Sequence, residues 1–185
     1  MMTNERIFDA VEFAVRAHRG QVRKAGGGPF VVHPIAVGRI LLDEGCPDVA
    51  VIAGFLHDTV EDTPVTLDEI DRTFGPDVAS IVAGVTEPDK SLPWEDRKQQ
   101  TLKKLQSAAQ EVLMVHCADK LHNLWSLRTE IERDGPETAW GRFKRGREIQ
   151  LWYYSGVLET IQLRLEGFRM LSLYREALHE AAQAG

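Results

Sequence analysis

Only two cysteines, Cys46 and Cys117, stand in 185 residues, and they lie far apart. A chain neither short nor cysteine-dense points to free thiols in a reducing compartment rather than to a disulfide framework. No apolar stretch is long enough to cross a bilayer, and the polar opening Met1-Met2-Thr3-Asn4-Glu5-Arg6 lacks the pattern of a signal peptide. The expectation is a cytoplasmic protein without a membrane partner. Basic excess is missing as well: 22 Lys and Arg against 28 Asp and Glu leave a net charge of −6. That balance excludes the broadly basic footprint of a nucleic-acid polymer binder. It still admits a polyphosphate ligand, because charge is locally basic at Arg16, His18, Arg19, Arg23 and Lys24 and again at Arg142, Lys144, Arg145 and Arg147. The second cluster reads first as a solvated helix face. Internal repeats, low-complexity tracts and sustained apolar-polar alternation are all absent, which argues against a sheet.

What is present is helical periodicity. Ile7, Ala10, Val11, Ala14 and Val15 form one face of a first helix, which ends before a glycine-rich segment from Arg23 to Phe30. Pro34 suits a helix start, and Ile35, Val37, Ile40 and Leu41 carry that helix to Gly45. Asp48 is placed to cap the next, Thr66-Leu67-Asp68-Glu69 reads as a capping box, and Pro76-Asp77 opens another helix. A basic amphipathic helix through Arg97, Lys98, Lys103 and Lys104 precedes a long one through Val112, Val115, Leu121 and Leu124 to about Arg133. After Gly135-Pro136 the pattern resumes to the end, with a C-terminal helix over about 161–183. The expectation is one all-α domain spanning residues 1–185. Its apolar tail, including Tyr174 and Leu178, packs on the domain or forms a homodimer contact.

The chemistry concentrates at His57-Asp58-Thr59-Val60-Glu61-Asp62, which follows the apolar run Val49–Leu56. An imidazole and three carboxylates then crowd the end of a buried helix, where the dipole disfavours acids and like charges repel. A bound cation offsets both effects. His33, before Pro34, and Asp119, in a second apolar-framed run, complete a candidate ligand set of His33, His57, Asp58 and Asp119. Two imidazoles and two carboxylates with positions left open favour one Mn²⁺ per chain over Mg²⁺, Zn²⁺ or Fe²⁺. Glu61 and Asp62 are then placed to orient or deprotonate a water and protonate a leaving oxygen. Asn123, four residues after Asp119, shares its helix face and can reach a substrate group. His116 reads as a satisfied core histidine, and His18 and His179 as surface or helix-end residues.

Several blocks together resemble the hydrolase domain of RelA/SpoT-type alarmone enzymes, within the HD-domain metal-dependent phosphohydrolases. They are Ala17–Lys24 through His33-Pro34, His57-Asp58 with Glu61-Asp62-Thr63, Phe74-Gly75, Val85-Thr86 and Ala118–Leu124. The resemblance covers about residues 5–160 and, with no synthetase domain in view, is closest in kind to small alarmone hydrolases of the Mesh1 type. It implies an HD-domain helical bundle with Mn²⁺ at His33, His57, Asp58 and Asp119, and catalytic acids at Glu61 and Asp62. It also implies a nucleotide substrate, (p)ppGpp, contacted by Arg23, Lys24, Asn123 and Ser126, and release of its 3′-pyrophosphate. Phe30, Trp125 and Ser126 depart from the residues usual in that family. A nucleotide phosphatase acting on NADPH through the same site is the alternative enzyme, and a non-catalytic nucleotide sensor the alternative outside enzymes.

Overall fold

Seven consecutive buried residues, Ala50 to Leu56, form the spine of the molecule. A helix apolar on every side needs neighbours on every side, and the chain supplies them. The computed structural model describes residues 4–23, 27–87 and 91–184. In chain order the helices are α1 (Asn4–Ala17), α2 (Val32–Asp43), α3 (Asp48–Leu56), α4 (Thr59–Asp62), α5 (Leu67–Phe74), α6 (Pro76–Val85), α7 (Trp94–Leu105), α8 (Gln110–Asp134), α9 (Pro136–Gly141), α10 (Gly146–Gln162) and α11 (Met170–Gln183). Among the described residues, extended pairing is limited to one isolated bridge, Val22 with Pro29. The fold is all-α, and the spine α3 packs against α1, α2, α6 and α8.

Two glycines set the closest of these approaches. A Cβ on Gly38 of α2 would stand 2.5 Å from the Phe55 ring. A Cβ on Gly54 of α3 would meet Leu41 and lie 3.2 Å from the Gly38 Cα. The two backbones therefore meet at Gly38 and Gly54, which brings the start of α2 beside the end of α3. Tyr174 closes the far side: it is fully buried and its hydroxyl donates to the Tyr154 carbonyl at 2.9 Å.

Some local expectations change. Val15 is exposed, and Phe13 takes its place against the core, edge-on to Phe74. Asp48 is the first residue of α3 rather than its cap, because Pro47 occupies the cap position. Thr66 does cap α5, accepting from the Glu69 amide at 3.3 Å. The long final pattern divides into α9, α10 and α11, with Gly146 and Gly167 at φ 75° and 76° making the breaks that residues with a side chain resist. The C-terminal helix is thus Met170–Gln183, and Met170, Leu171, Tyr174 and Ala177 pack it onto the rest of the chain. No helix among the described residues is long and apolar enough to cross a membrane.

Candidate active site

Four elements converge at the C-terminal end of α3. His33 is the second residue of α2, His57 follows the last residue of α3, Asp58 precedes α4, and Asp119 lies in the middle of α8. The Nε2 atoms of His33 and His57 stand 3.3 Å apart. Asp58 Oδ2 is 3.2 Å from His57 Nε2 and 3.5 Å from His33 Nε2. Asp119 Oδ1 is 3.2 Å from His33 Nε2 and 4.0 Å from His57 Nε2. One ligand atom each from His33, His57 and Asp58 lie within 4.8 Å of one another, close enough for one ion. The donors also have the right chemistry. His57 Nδ1 faces the Gly54 carbonyl at 2.8 Å; a carbonyl only accepts, so Nδ1 carries a proton and it is Nε2 that turns into the cluster, with a lone pair there once the ring is neutral. The group fits a divalent cation.

Electrostatics agree with that fit. Burial disfavours a charged His57, yet Asp58, through charge and hydrogen bond, and Asp119 outweigh it and lift the imidazole to about 9. Burial pushes the Asp119 carboxyl up, but Lys120, the hydrogen bond to His33 and the charge of His57 hold it well below the usual carboxylate range. The pocket thus gathers positive charge around its acids by every means at hand. Asp119 is also fixed at both oxygens: Asn123 Nδ2 donates to Oδ1 at 2.6 Å and Lys120 Nζ to Oδ2 at 2.5 Å.

Around this cluster lies a cavity of about 250 Å³, which Glu61, Asp62, Arg23, Phe30, Asn123 and Lys98 also line. It adjoins a larger one of about 1100 Å³ that shares Arg23, Phe30, Asp62 and Asn123 and adds Ser126. Arg23 Nη1 donates to Ser126 Oγ on α8 at 3.2 Å, so these two expected contacts touch each other. Lys24 lies outside the described residues. His33, His57, Asp58, Asp119, Glu61, Asp62, Arg23, Asn123 and Ser126 therefore all reach one of two adjoining cavities.

Two further residues, given no site role by the sequence, border it. His122 Nδ1 stands 2.7 Å from His33 Nδ1, and burial, with His33 and Arg23 nearby, holds its pKa at about 4. Lys98 pairs with Glu87, sits 4.7 Å over the Tyr153 ring and lines the small cavity. Two histidines are corrected. His18 stands at the end of α1 as expected but is buried rather than on the surface, with Nδ1 2.8 Å from Gln21 Oε1, while Gln21 Nε2 donates to the Asp62 carbonyl at 2.7 Å. His116 is buried but not satisfied: it lines the small cavity, its Nδ1 has no partner among the described residues, and burial and Lys120 hold it to about 3. In the cluster read as a solvated face, Arg142, Lys144 and Arg145 are exposed as expected and also line the large cavity. Arg142 is tied there to Glu130 and Asp134, and Arg145 to Glu95.

Residues 10–140 match the HD domain family. The chain belongs to this family. Among similar proteins of known name, the HD-domain chain is 46% identical over 124 residues to the guanosine-3′,5′-bis(diphosphate) 3′-pyrophosphohydrolase MESH1 of Danio rerio, covering 65% of this chain and 68% of that protein. The MESH1 protein of Xenopus tropicalis is 44% identical over 149 residues, 79% of each chain. A GTP pyrophosphokinase of Streptomyces coelicolor is 36% identical over 96% of this chain, which spans only 21% of that longer protein. In structure, the chain matches a metazoan ortholog of SpoT, reported to hydrolyse ppGpp, with a TM-score of 0.81, 27% identity and 97% coverage of both chains. A Listeria monocytogenes protein, lmo0812, matches with a TM-score of 0.76 and 36% identity over 82% of this chain and 99% of its own. The resemblance read from the motif blocks is borne out.

Proposed function

We propose that this HD-domain protein is a metal-dependent (p)ppGpp 3′-pyrophosphohydrolase, yielding GDP or GTP and pyrophosphate. The observation that carries this reading is the pairing of cavities: a small one with converging ligand atoms and two acids, opening into one wide enough for a nucleoside. The named activity of the MESH1 relatives supports it.

His33, His57, Asp58 and Asp119 would hold the cation, and their mixed nitrogen and oxygen set favours Mn²⁺ over Mg²⁺, which prefers oxygen alone, and over a closed tetrahedral Zn²⁺. A divalent ion there supplies charge neutralisation at the phosphoryl group and a more acidic water. The remaining work belongs to the chain. Glu61 and Asp62 take the proton of the attacking water as its oxygen bonds to the phosphorus on O3′. The same acids return a proton to O3′ as the P–O3′ bond breaks, so that pyrophosphate leaves and the 3′-hydroxyl is restored. Arg23, Asn123 and Ser126 hold the nucleoside side, while Lys98 offers positive charge beside the departing phosphates; Lys24 stays a contact implied by the resemblance alone. Product analysis with ppGpp, with and without Mn²⁺ and with NADPH in parallel, tests the reading. Metal-dependent GDP and pyrophosphate support it. Preferential release of phosphate from NADPH would transfer the site to another nucleotide, and metal binding with no turnover of either would leave a sensor.

A further inference from the structure

We propose that His122 is a positioning residue for the metal site: its Nδ1 accepts the Nδ1 proton of His33 and so fixes the tautomer and ring orientation of that ligand. This rests on the divalent-cation reading of the site. The two Nδ1 atoms lie 2.7 Å apart with the rings tilted 38° to each other. Two imidazole nitrogens at that separation must share one proton, since two lone pairs repel and two N–H groups collide. Two assignments remain. If His122 donates, His33 carries its proton on Nε2, aimed at His57 Nε2 at 3.3 Å and at the carboxylates of Asp58 and Asp119. That tautomer cannot ligate an ion through Nε2. If His33 donates, its Nε2 lone pair points into the cluster, and His122 is neutral with its proton on Nε2.

The surroundings favour the second assignment. His122 lines an outer groove together with Trp125, Ile40 and Ala36, on the side away from the small cavity. Its Nε2 is neither buried without a partner nor bonded to any described residue, so solvent in the groove can accept that proton. His57 already has the same arrangement, with Nδ1 donating to a carbonyl and Nε2 facing inward. His33 has no carbonyl in that role; its Nδ1 acceptor comes from α8, 89 residues away in sequence. One helix therefore carries both the ligand Asp119 and the group that orients the ligand His33.

The test measures Mn²⁺ binding directly, by the paramagnetic resonance signal of free Mn²⁺ during titration of the full chain. His122→Phe keeps a flat ring and removes the acceptor; His122→Asn places an amide oxygen near the former Nδ1. Loss of a ligand's orienting partner costs about 10–100-fold in metal affinity. The expected result is that weakening for His122→Phe, with His122→Asn within about threefold of the parent and both metal-free variants melting together. His122→Ala serves if the Phe variant does not fold. Parental affinity in the Phe variant would overturn the inference, as would equal losses in Phe and Asn, which would assign the effect to ring shape. A parent chain that binds no divalent ion would instead remove the reading beneath it, so the two failures are distinguishable.

Discussion

Replacing Gly38 by Ala tests the idea that one close helix contact holds the metal-site histidines in register. The added methyl would lie 2.5 Å from Phe55 Cδ1 and Cε1 and 2.6 Å from Cγ, about 1 Å inside ordinary carbon contact. The obstacle is the whole ring of a buried residue, not a flexible tip, so α2 must retreat or Phe55 must leave its rotamer. Overpacking of this kind costs about 1–3 kcal/mol, against which Ala recovers up to about 1 kcal/mol of helix propensity over Gly. Gly141→Ala is the internal control, because it lies in α9 with nothing within 4 Å of its added Cβ. As the last residue of α9 it keeps part of the propensity gain without the clash. For a chain of this length each kcal/mol moves the melting temperature by about 2–4 °C, so the net cost should place Gly38→Ala below Gly141→Ala. A retreat of α2 also carries His33 away from His57, and misplacement by about 1 Å can cost about a hundredfold in rate. Thermal denaturation and Mn²⁺ titration on both variants read the two effects. Equal melting temperatures together with parental metal affinity would refute the reasoning.

Asp62→Ala should lower kcat by about 10²–10⁴-fold, the range for a lost general acid–base group, while His57→Ala should abolish metal binding; near-normal turnover of either folded variant would sink the site. Metal affinity should also depend on pH. The folded-state pKa of His57 is raised from 6.5 to about 9, so in the metal-free protein its stabilisation is full below about 6.5 and is lost as pH rises through about 9. A cation must displace that proton, so the apparent Kd should fall about tenfold per pH unit up to about 9 and level off above. A flat Kd over that window, measured by titration at several pH values, would contradict it. Tyr174→Phe removes a buried hydrogen bond to Tyr154 and should cost about 1 kcal/mol, a drop of about 2–4 °C in melting temperature; no change would mean that the hydroxyl adds nothing.

Much of the site was legible because its signals are local. His57 and Asp58 stand where a wholly apolar helix stops, and Asp119 and Asn123 share a face by helical spacing alone. The Thr66 cap and the glycine-proline breaks were readable for the same reason. What escaped depends on how distant elements cross. His122 matters because α8 meets the start of α2, a relation no spacing within either helix encodes. Arg142, Lys144 and Arg145 look like any solvated face until α8 and α10 frame a cavity beside them. His18 reads as a helix-end polar residue, yet Phe30 and Gln21 cover it. Val15 and Phe13 differ by two positions on one helix, and only the location of Phe74 decides which of them is inside.

The 25-residue helix α8 carries Asp119, Asn123 and Ser126 along one side, all three bordering the cavities. At 1.5 Å per residue, Asp119 and Ser126 are separated by about 10.5 Å along the axis, close to two full turns. In the proposed hydrolase the helix would be a ruler laid beside the substrate, with its zero at the scissile phosphorus and its next marks under the nucleoside. Side-chain replacement can change what each mark recognises. Inserting or deleting one residue between them would swing the outer mark about 100° around the axis and out of the cavity. On that reading, ligands that present their phosphoryl group at another distance from the base would be rejected by the pitch of a helix, before any hydrogen bond is compared.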